Sequence, residues 1–64
     1  MSPNDYVELE VDVMAKTEQA IKVTDGFTIE WIPASQIQED LEDIDHGIQE
    51  INVKLWIARE KHLI

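Results

Sequence analysis

The sequence predicts a small α+β fold, with an antiparallel sheet of three or four strands and one or two short helices. Three observations lead to this prediction: alternating apolar and polar side chains near the N-terminus, an Asp-Gly turn between two apolar runs, and helical spacing of apolar residues farther along. We expect the 64 residues, 1–64, to form a single domain with a small core.

The first predicted element is a strand from Tyr6 to Lys16, in which apolar and acidic side chains alternate. This period of two is typical of a strand with one buried and one solvated face. The side chains predicted to point inward are Val7, Leu9, Val11 and Val13. The acids predicted to point outward are Glu8, Glu10 and Asp12.

A hairpin is predicted next, with strands at about Glu18–Val23 and Phe27–Ile32 around the Asp-Gly turn. A two-residue turn would mix apolar and polar side chains on each face. A three-residue loop of residues 24–26 sets Val23 opposite Phe27 and places the apolar side chains on one face, with Gly26 in the left-handed conformation. We therefore predict the three-residue loop, with Phe27 and Trp31 in the core.

The spacing of Ile37, Leu41 and Ile44 predicts an amphipathic helix in the acidic middle of the chain. Ser35 is its predicted N-cap and Gly47 its C-terminal cap. Acidic side chains four residues apart repel each other in this helix and weaken it.

A fourth strand is predicted at Ile48–Val53, and a C-terminal helix from Lys54 to His62. The side chains expected to close the core from this helix are Leu55, Ile57 or Ala58, and Leu63. For Trp56 and Tyr6 the sequence leaves both a core position and a protein interface open.

No constellation of residues supports catalysis, so we do not expect an enzyme. The chain has no cysteine, two glycines that are needed for a turn and a cap, and two serines without a triad. The acidic run 39–45 is interrupted by Leu41 and Ile44, so neither a metal site nor a cofactor is predicted. No apolar run is long enough to cross a bilayer, and the expected location is the cytosol.

Charge is the dominant feature of the composition. Fourteen acidic residues stand against five basic ones, for a net charge of −9, and no basic residue occurs between Lys22 and Lys54. This charge repels nucleic acid and anionic membranes, and it attracts a basic protein.

The acids are predicted to copy the phosphate backbone of a nucleic acid and to occupy a basic nucleic-acid-binding site on another protein. Acids two residues apart on one strand face are separated by about 6.7 Å, which is close to the spacing of successive phosphates. The main predicted contacts are Glu39, Asp40, Glu42, Asp43 and Asp45. The supporting contacts are Glu8, Glu10, Asp12 and Glu30, with Glu50 considered beside them. The alternative is that these acids form an ordinary hydrated surface.

Two stretches resemble a recurrent pattern in very small phage and prophage proteins. One runs from Ala15 to Val23 and on through Asp25-Gly26 to the phrase Trp31-Ile-Pro-Ala-Ser-Gln-Ile37, and the other is the tail Leu55–Ile64. The resemblance covers more than half of the chain and implies a shared fold, but not a shared activity. The acidic residues 39–50 and the acids of the first strand depart from the pattern.

A phage-sized, acidic, non-enzymatic protein also resembles the anti-CRISPR inhibitors that mimic DNA. That resemblance implies a target among type I CRISPR effectors, in the subunit that reads the PAM. The alternative hypothesis is a structural or accessory phage protein that assembles through an apolar surface made of Trp56, Ile57, Leu63 and Ile64. The inhibitor is expected to be a monomer or a weak homodimer in the host bacterial cytosol, whereas a stable oligomer that salt does not dissociate would favour the alternative, a protein that assembles with itself or with a larger component.

Overall fold

The protein, described over residues 5–64 by a computed structural model, has the predicted α+β fold with four antiparallel strands in one sheet. The elements are β1 (Tyr6–Lys16), β2 (Ala20–Thr24), β3 (Ile29–Pro33), β4 (Gly47–Lys54) and α1 (Leu55–Glu60). Two single 3-10 turns, Ala34–Gln36 and Leu41–Asp43, lie in the connection between β3 and β4. The strand order β3-β2-β1-β4 places β1 in the centre and makes β3 an edge strand.

One face of the sheet, here called the inner face, forms the core. The predicted alternation in β1 is confirmed, since Leu9, Val11 and Val13 are buried and Val7 is partly buried. The remaining core residues are Ile21, Val23, Ile32, Ile37, Ile44, Ile51, Val53, Ile57, Ala58 and Leu63. Because α1 and the β3–β4 connection contribute to this core, both cover the inner face. The opposite face of the sheet, here called the outer face, is exposed.

The predicted fourth strand is confirmed, and it pairs with β1 from Tyr6 opposite Lys54 to Val13 opposite Gly47. Its inward residues Ile51 and Val53 are buried, whereas Ile48 lies on the outer face and is 76% exposed. The exposed Ile48 explains the imperfect alternation of this segment in the sequence.

A bulge at Met14 shifts the register between β1 and β2. Val13 lies opposite Val23, but the next pair joins Ala15 to Lys22. The extra residue turns Lys16 toward the inner face. Its Nζ donates hydrogen bonds to the carbonyl oxygens of Leu41 at 2.9 Å and Ile44 at 2.7 Å.

The predicted hairpin register is wrong. Thr24 lies opposite Ile29, which leaves a loop of residues 25–28 instead of 24–26. The Asp25 carboxylate accepts hydrogen bonds from the amides of Phe27 and Thr28, both at 2.9 Å, and this Asx-type turn lengthens the loop. Gly26 has the expected positive φ, 99°.

The longer loop reverses which residues of the third strand point inward. Ile32 is buried, whereas Phe27 is 95% exposed and Trp31 is 44% exposed, so the predicted core positions of these two aromatic residues are wrong. The outward residues of β3 are Ile29, Trp31 and Pro33.

The predicted helix of residues 35–46 is also wrong. Ser35 lies inside a 3-10 turn, and Ile37 is extended and forms an isolated bridge with Val53. Contacts with β4 thus replace helical hydrogen bonds. Gly47 is no helix cap; it begins β4 with a φ of 103°. The apolar positions were predicted correctly nonetheless, since Ile37 and Ile44 are buried.

The predicted C-terminal helix is confirmed as α1, and it ends in a Schellman motif. The Leu63 amide donates to the Ala58 carbonyl at 2.8 Å, and the intervening His62 has a φ of 59°. Ile57 and Leu63 are buried, so these two residues cannot belong to the predicted apolar docking surface, whereas Trp56 and Ile64 are exposed. Among the described residues, no helix is long and apolar enough to cross a membrane.

Candidate functional site

Four carboxylates of the outer face lie on two neighbouring strands, and we call this set the acidic face. Glu8, Glu10 and Asp12 project from β1, and Glu50 projects from β4 directly opposite Glu10. Neighbours along β1 are about 6.7 Å apart and neighbouring strands about 4.8 Å apart. The ladder between β1 and β4 therefore fixes the backbone positions from which these four carboxylates project.

The proximity of Glu8 shifts the pKa of one member of the acidic face, Glu50. A hydrogen bond with Glu8, followed by the repulsion of its charge, raises the pKa of Glu50 above its ordinary value. Such a bond requires a proton on one of the two carboxyl groups. These two side chains therefore lie close enough to share a proton when one of them is protonated.

A groove borders the acidic face on the β2 side. The ladder between β1 and β2 ends where Thr24 lies opposite Asp12, so residues 6–11 of β1 have no partner on β2. A depression of about 230 Å³ lies beside β1 at this point, next to the hairpin loop. Its walls include Glu10, Asp12 and Ile48, so carboxylates and an exposed aliphatic side chain share it.

The structure places Glu39, predicted as a main contact, in a structural role. Its carboxylate accepts hydrogen bonds from the backbone amide of Asn52 at 2.9 Å and from the Asn52 Nδ2 at 2.9 Å. Burial, the largest influence, acts to raise the pKa of Glu39, but the two bonds from Asn52 together outweigh it and lower the pKa. Glu39 thus fixes the connection to the edge of β4.

The other four predicted main contacts are exposed on the connection between β3 and β4. They are Asp40, Glu42, Asp43 and Asp45. Of these four, the 3-10 turn carries only Glu42 and Asp43, and it points these two side chains about a third of a turn apart. The Lys16 ammonium donates hydrogen bonds to the carbonyls of Leu41 and Ile44. A depression of about 510 Å³ beside this contact is lined by residues 16–18, 41 and 42.

Glu30, predicted as a supporting contact, does not join the acidic face. It lies opposite Val23 on the inner-face side of β3 and is half-buried, with Lys61 Nζ 3.8 Å from its carboxylate. The acids that the structure brings together are thus the predicted trio of β1 and Glu50.

One feature of the outer face escaped the sequence reasoning. Ile29 and Trp31 form an exposed apolar strip on β3, which the wrong hairpin register had assigned to the core. The available signal was the Asp25 side chain followed by Gly26, a combination that also suits a longer loop.

Within residues 5–64, no three His, Asp or Glu side chains are arranged to hold a metal ion. Comparisons with models of protein families, with curated proteins and with solved structures give no match for this chain.

Proposed function

We propose that this protein is a non-enzymatic inhibitor that places its acidic face in a basic nucleic-acid-binding site of another protein. The observation that supports the proposal best is the array of Glu8, Glu10, Asp12 and Glu50 on two paired strands. None of these four carboxylates forms an ion pair within the described part of the chain. Their charge is therefore available to a partner.

The physical basis is competition for the same cationic groups that hold phosphate. Lysine and arginine side chains gain affinity for nucleic acid through ionic contacts and the release of condensed counterions. A strand ladder presents carboxylates without the ordering cost of a flexible acidic tail. The acids at positions 40, 42, 43 and 45 add to the long-range field that steers encounter.

The resemblance to anti-CRISPR inhibitors that mimic DNA narrows the proposed target. An anti-CRISPR inhibitor of this kind would act in the cytosol of the host bacterium on the PAM-reading subunit of a type I effector. That subunit must hold duplex DNA, so it is expected to offer a basic groove of the required sign. The narrower target rests on this resemblance, whereas the broader proposal rests on the acidic face.

Affinity capture from bacterial lysate tests the broader proposal. The tagged protein is expected to retain a nucleic-acid-binding protein at about 50 mM salt and to release most of it at about 500 mM. Added duplex DNA or RNA is expected to displace the captured protein at low salt. Capture of a partner that neither salt nor nucleic acid displaces would contradict the proposal.

A gel-shift assay tests the narrower target. A purified type I effector is expected to lose binding of a PAM-containing duplex when the protein is added. The double variant Glu8→Gln/Glu10→Gln is expected to restore most of that binding, because it removes adjacent charges from the acidic face. The matched control is Glu42→Gln/Asp43→Asn, which removes the same charge from the exposed connection. Full DNA binding in the presence of the wild-type protein would exclude this target.

A further inference from the structure

The edge strand β3 carries an exposed apolar strip that the acidic face does not use. Ile29 is 55% exposed and Trp31 is 44% exposed, and both side chains point to the outer face. Phe27, in the adjoining loop, is almost wholly exposed. Small proteins usually protect an edge of this kind with charges or keep it very short.

The backbone groups of the same strand are also available for pairing. The Ala34 amide donates to the Gln19 carbonyl at 2.7 Å, so these two residues are a hydrogen-bonded pair that continues the ladder between β2 and β3. By the alternation of an antiparallel ladder, Glu30 and Ile32 bond to β2, so the N–H and C=O groups of Ile29 and Trp31 point away from the sheet. Pro33 offers only a carbonyl.

The surroundings of this edge are close to electrically neutral, in contrast to the rest of the protein. Lys22 lies opposite Trp31 on β2, and Lys61 lies 3.8 Å from Glu30. The Asp25 carboxylate is turned into its own loop. A second molecule approaching β3 therefore meets little net charge, although each copy carries −9.

We propose that two copies of this chain pair antiparallel through β3, with Ile29 of each copy opposite Trp31 of the other. In this register both outward-pointing residues exchange two hydrogen bonds with their counterpart. An aromatic side chain lies beside an aliphatic one on each side of the two-fold axis, which is a favourable cross-strand pair. This proposal does not depend on the proposed function.

The register follows from the sequence of the strand. Placing Trp31 opposite Trp31 would set Ile29 against Pro33, which has no amide hydrogen to donate. In the proposed register the two-fold axis passes between the Glu30 residues, and the Lys61 of each copy offsets their repulsion.

The charge of the acidic face does not oppose this pairing. In the continuous sheet, the two β1 strands are separated by five strand spacings, or about 24 Å. That distance is more than twice the Debye length of about 8 Å at physiological ionic strength. An antiparallel edge pair keeps both outer faces on the same side, so the dimer would present an acidic face at each flank of a central apolar strip.

Analytical ultracentrifugation and amide exchange of the wild-type protein test the proposal. Between about 1 μM and about 1 mM, the sedimenting mass is expected to rise to twice the monomer mass, as suits a small interface. Over the same range the Ile29 and Trp31 amides are expected to become protected from exchange. A monomer at every concentration, or a dimer in which these two amides stay unprotected, would overturn the proposal.

A matched pair of variants then locates the interface. Ile29→Lys and Ile48→Lys each place a charge at an exposed isoleucine of the outer face. Ile29→Lys is expected to weaken dimerisation by about tenfold or more, because lysine on an edge strand opposes pairing. Ile48→Lys lies on β4 and is expected to leave dimerisation unchanged. The reverse pattern, or equal effects, would overturn the assignment.

Discussion

The two halves of the outer face differ in charge although they belong to one sheet. The half on β1 and β4 carries Glu8, Glu10, Asp12 and Glu50, whereas the half on β2 and β3 carries Lys22, Ile29 and Trp31. Both halves sit over the same continuous core. Packing therefore dictates the inner residues of every strand, while each half of the outer face remains free to suit a different partner.

The largest expected effect is on the free energy of unfolding, and it distinguishes an inner residue of β3 from an outer one. Ile32→Ala and Ile29→Ala make the same change three positions apart on β3, at a buried and an exposed site. Ile32→Ala is expected to lower the free energy of unfolding by about 2–5 kcal/mol, because it leaves a cavity. Ile29→Ala is expected to lower it by less than about 1 kcal/mol.

Urea denaturation of both variants at micromolar concentration measures this difference. Similar losses for the two variants would show that the outer face is needed for folding, and the distinction between the two faces would fail.

Much of the fold followed from local patterns in the sequence. Alternation along β1 predicted its bounds and its inward residues, because a central strand with one solvated face must repeat with a period of two. The turn at Gly26 and the C-terminal helix also followed from local chemistry.

The errors arose where distant contacts decide the conformation. Nothing adjacent to Glu39 in sequence indicates that its carboxylate bonds the Asn52 amide, yet that contact helps to hold the segment in an irregular form. Likewise, no local signal places Lys16 against the carbonyl of Ile44. The pairing of β1 with β4, which joins Glu50 to the acidic face, is also a long-range choice.

A hydrogen-bonded acid and an exposed acid on the β3–β4 connection are expected to differ in their contribution to stability. Glu39→Ala is expected to lower the free energy of unfolding by about 1–3 kcal/mol, because the Asn52 amide loses a charged acceptor. Glu42→Ala, at an exposed site on the same connection, is expected to change it by less than about 0.5 kcal/mol. Thermal denaturation at neutral pH compares them, and equal effects would contradict the assigned role of Glu39.

The same carboxylate gives a pH dependence with a definite sign. Because the folded state lowers the pKa of Glu39, its contribution to stability is present above the ordinary pKa of 4.5 and is lost as pH falls through the lower folded value. The difference in stability between wild type and Glu39→Ala is therefore expected to shrink in that acidic range. A difference that stays constant down to acidic pH would exclude this linkage.

A smaller effect is expected from the lysine that holds the acidic connection. Lys16→Met removes the hydrogen bonds to Leu41 and Ile44 and is expected to lower the free energy of unfolding by about 1 kcal/mol. Amide exchange in the turn Leu41–Asp43 is expected to become faster, while exchange in β4 stays slow. Unchanged exchange in the turn would show that these bonds do not hold it.

The smallest expected effect concerns repulsion within the acidic face. The folded state raises the pKa of Glu50, so its contribution to stability is present below the ordinary pKa of 4.5 and is lost as pH rises through the raised value. Glu50→Gln is therefore expected to gain stability relative to the wild type over that rise in pH. Thermal melts across the range measure this, with Glu60→Gln on α1 as the control for removing one charge. A loss of relative stability would contradict the repulsion.

The most direct test of the acidic face compares two variants of equal charge against the captured partner. One is Glu8→Gln/Glu10→Gln/Asp12→Asn/Glu50→Gln, and the other is Asp40→Asn/Glu42→Gln/Asp43→Asn/Asp45→Asn. Each removes four charges and leaves −9 + 4 = −5. Affinity measured across a salt series is expected to fall about a hundredfold or more for the first variant, with a shallower salt slope, and by less than about tenfold for the second. Equal losses for the two variants would mean that net charge alone drives binding and would contradict a fixed carboxylate array.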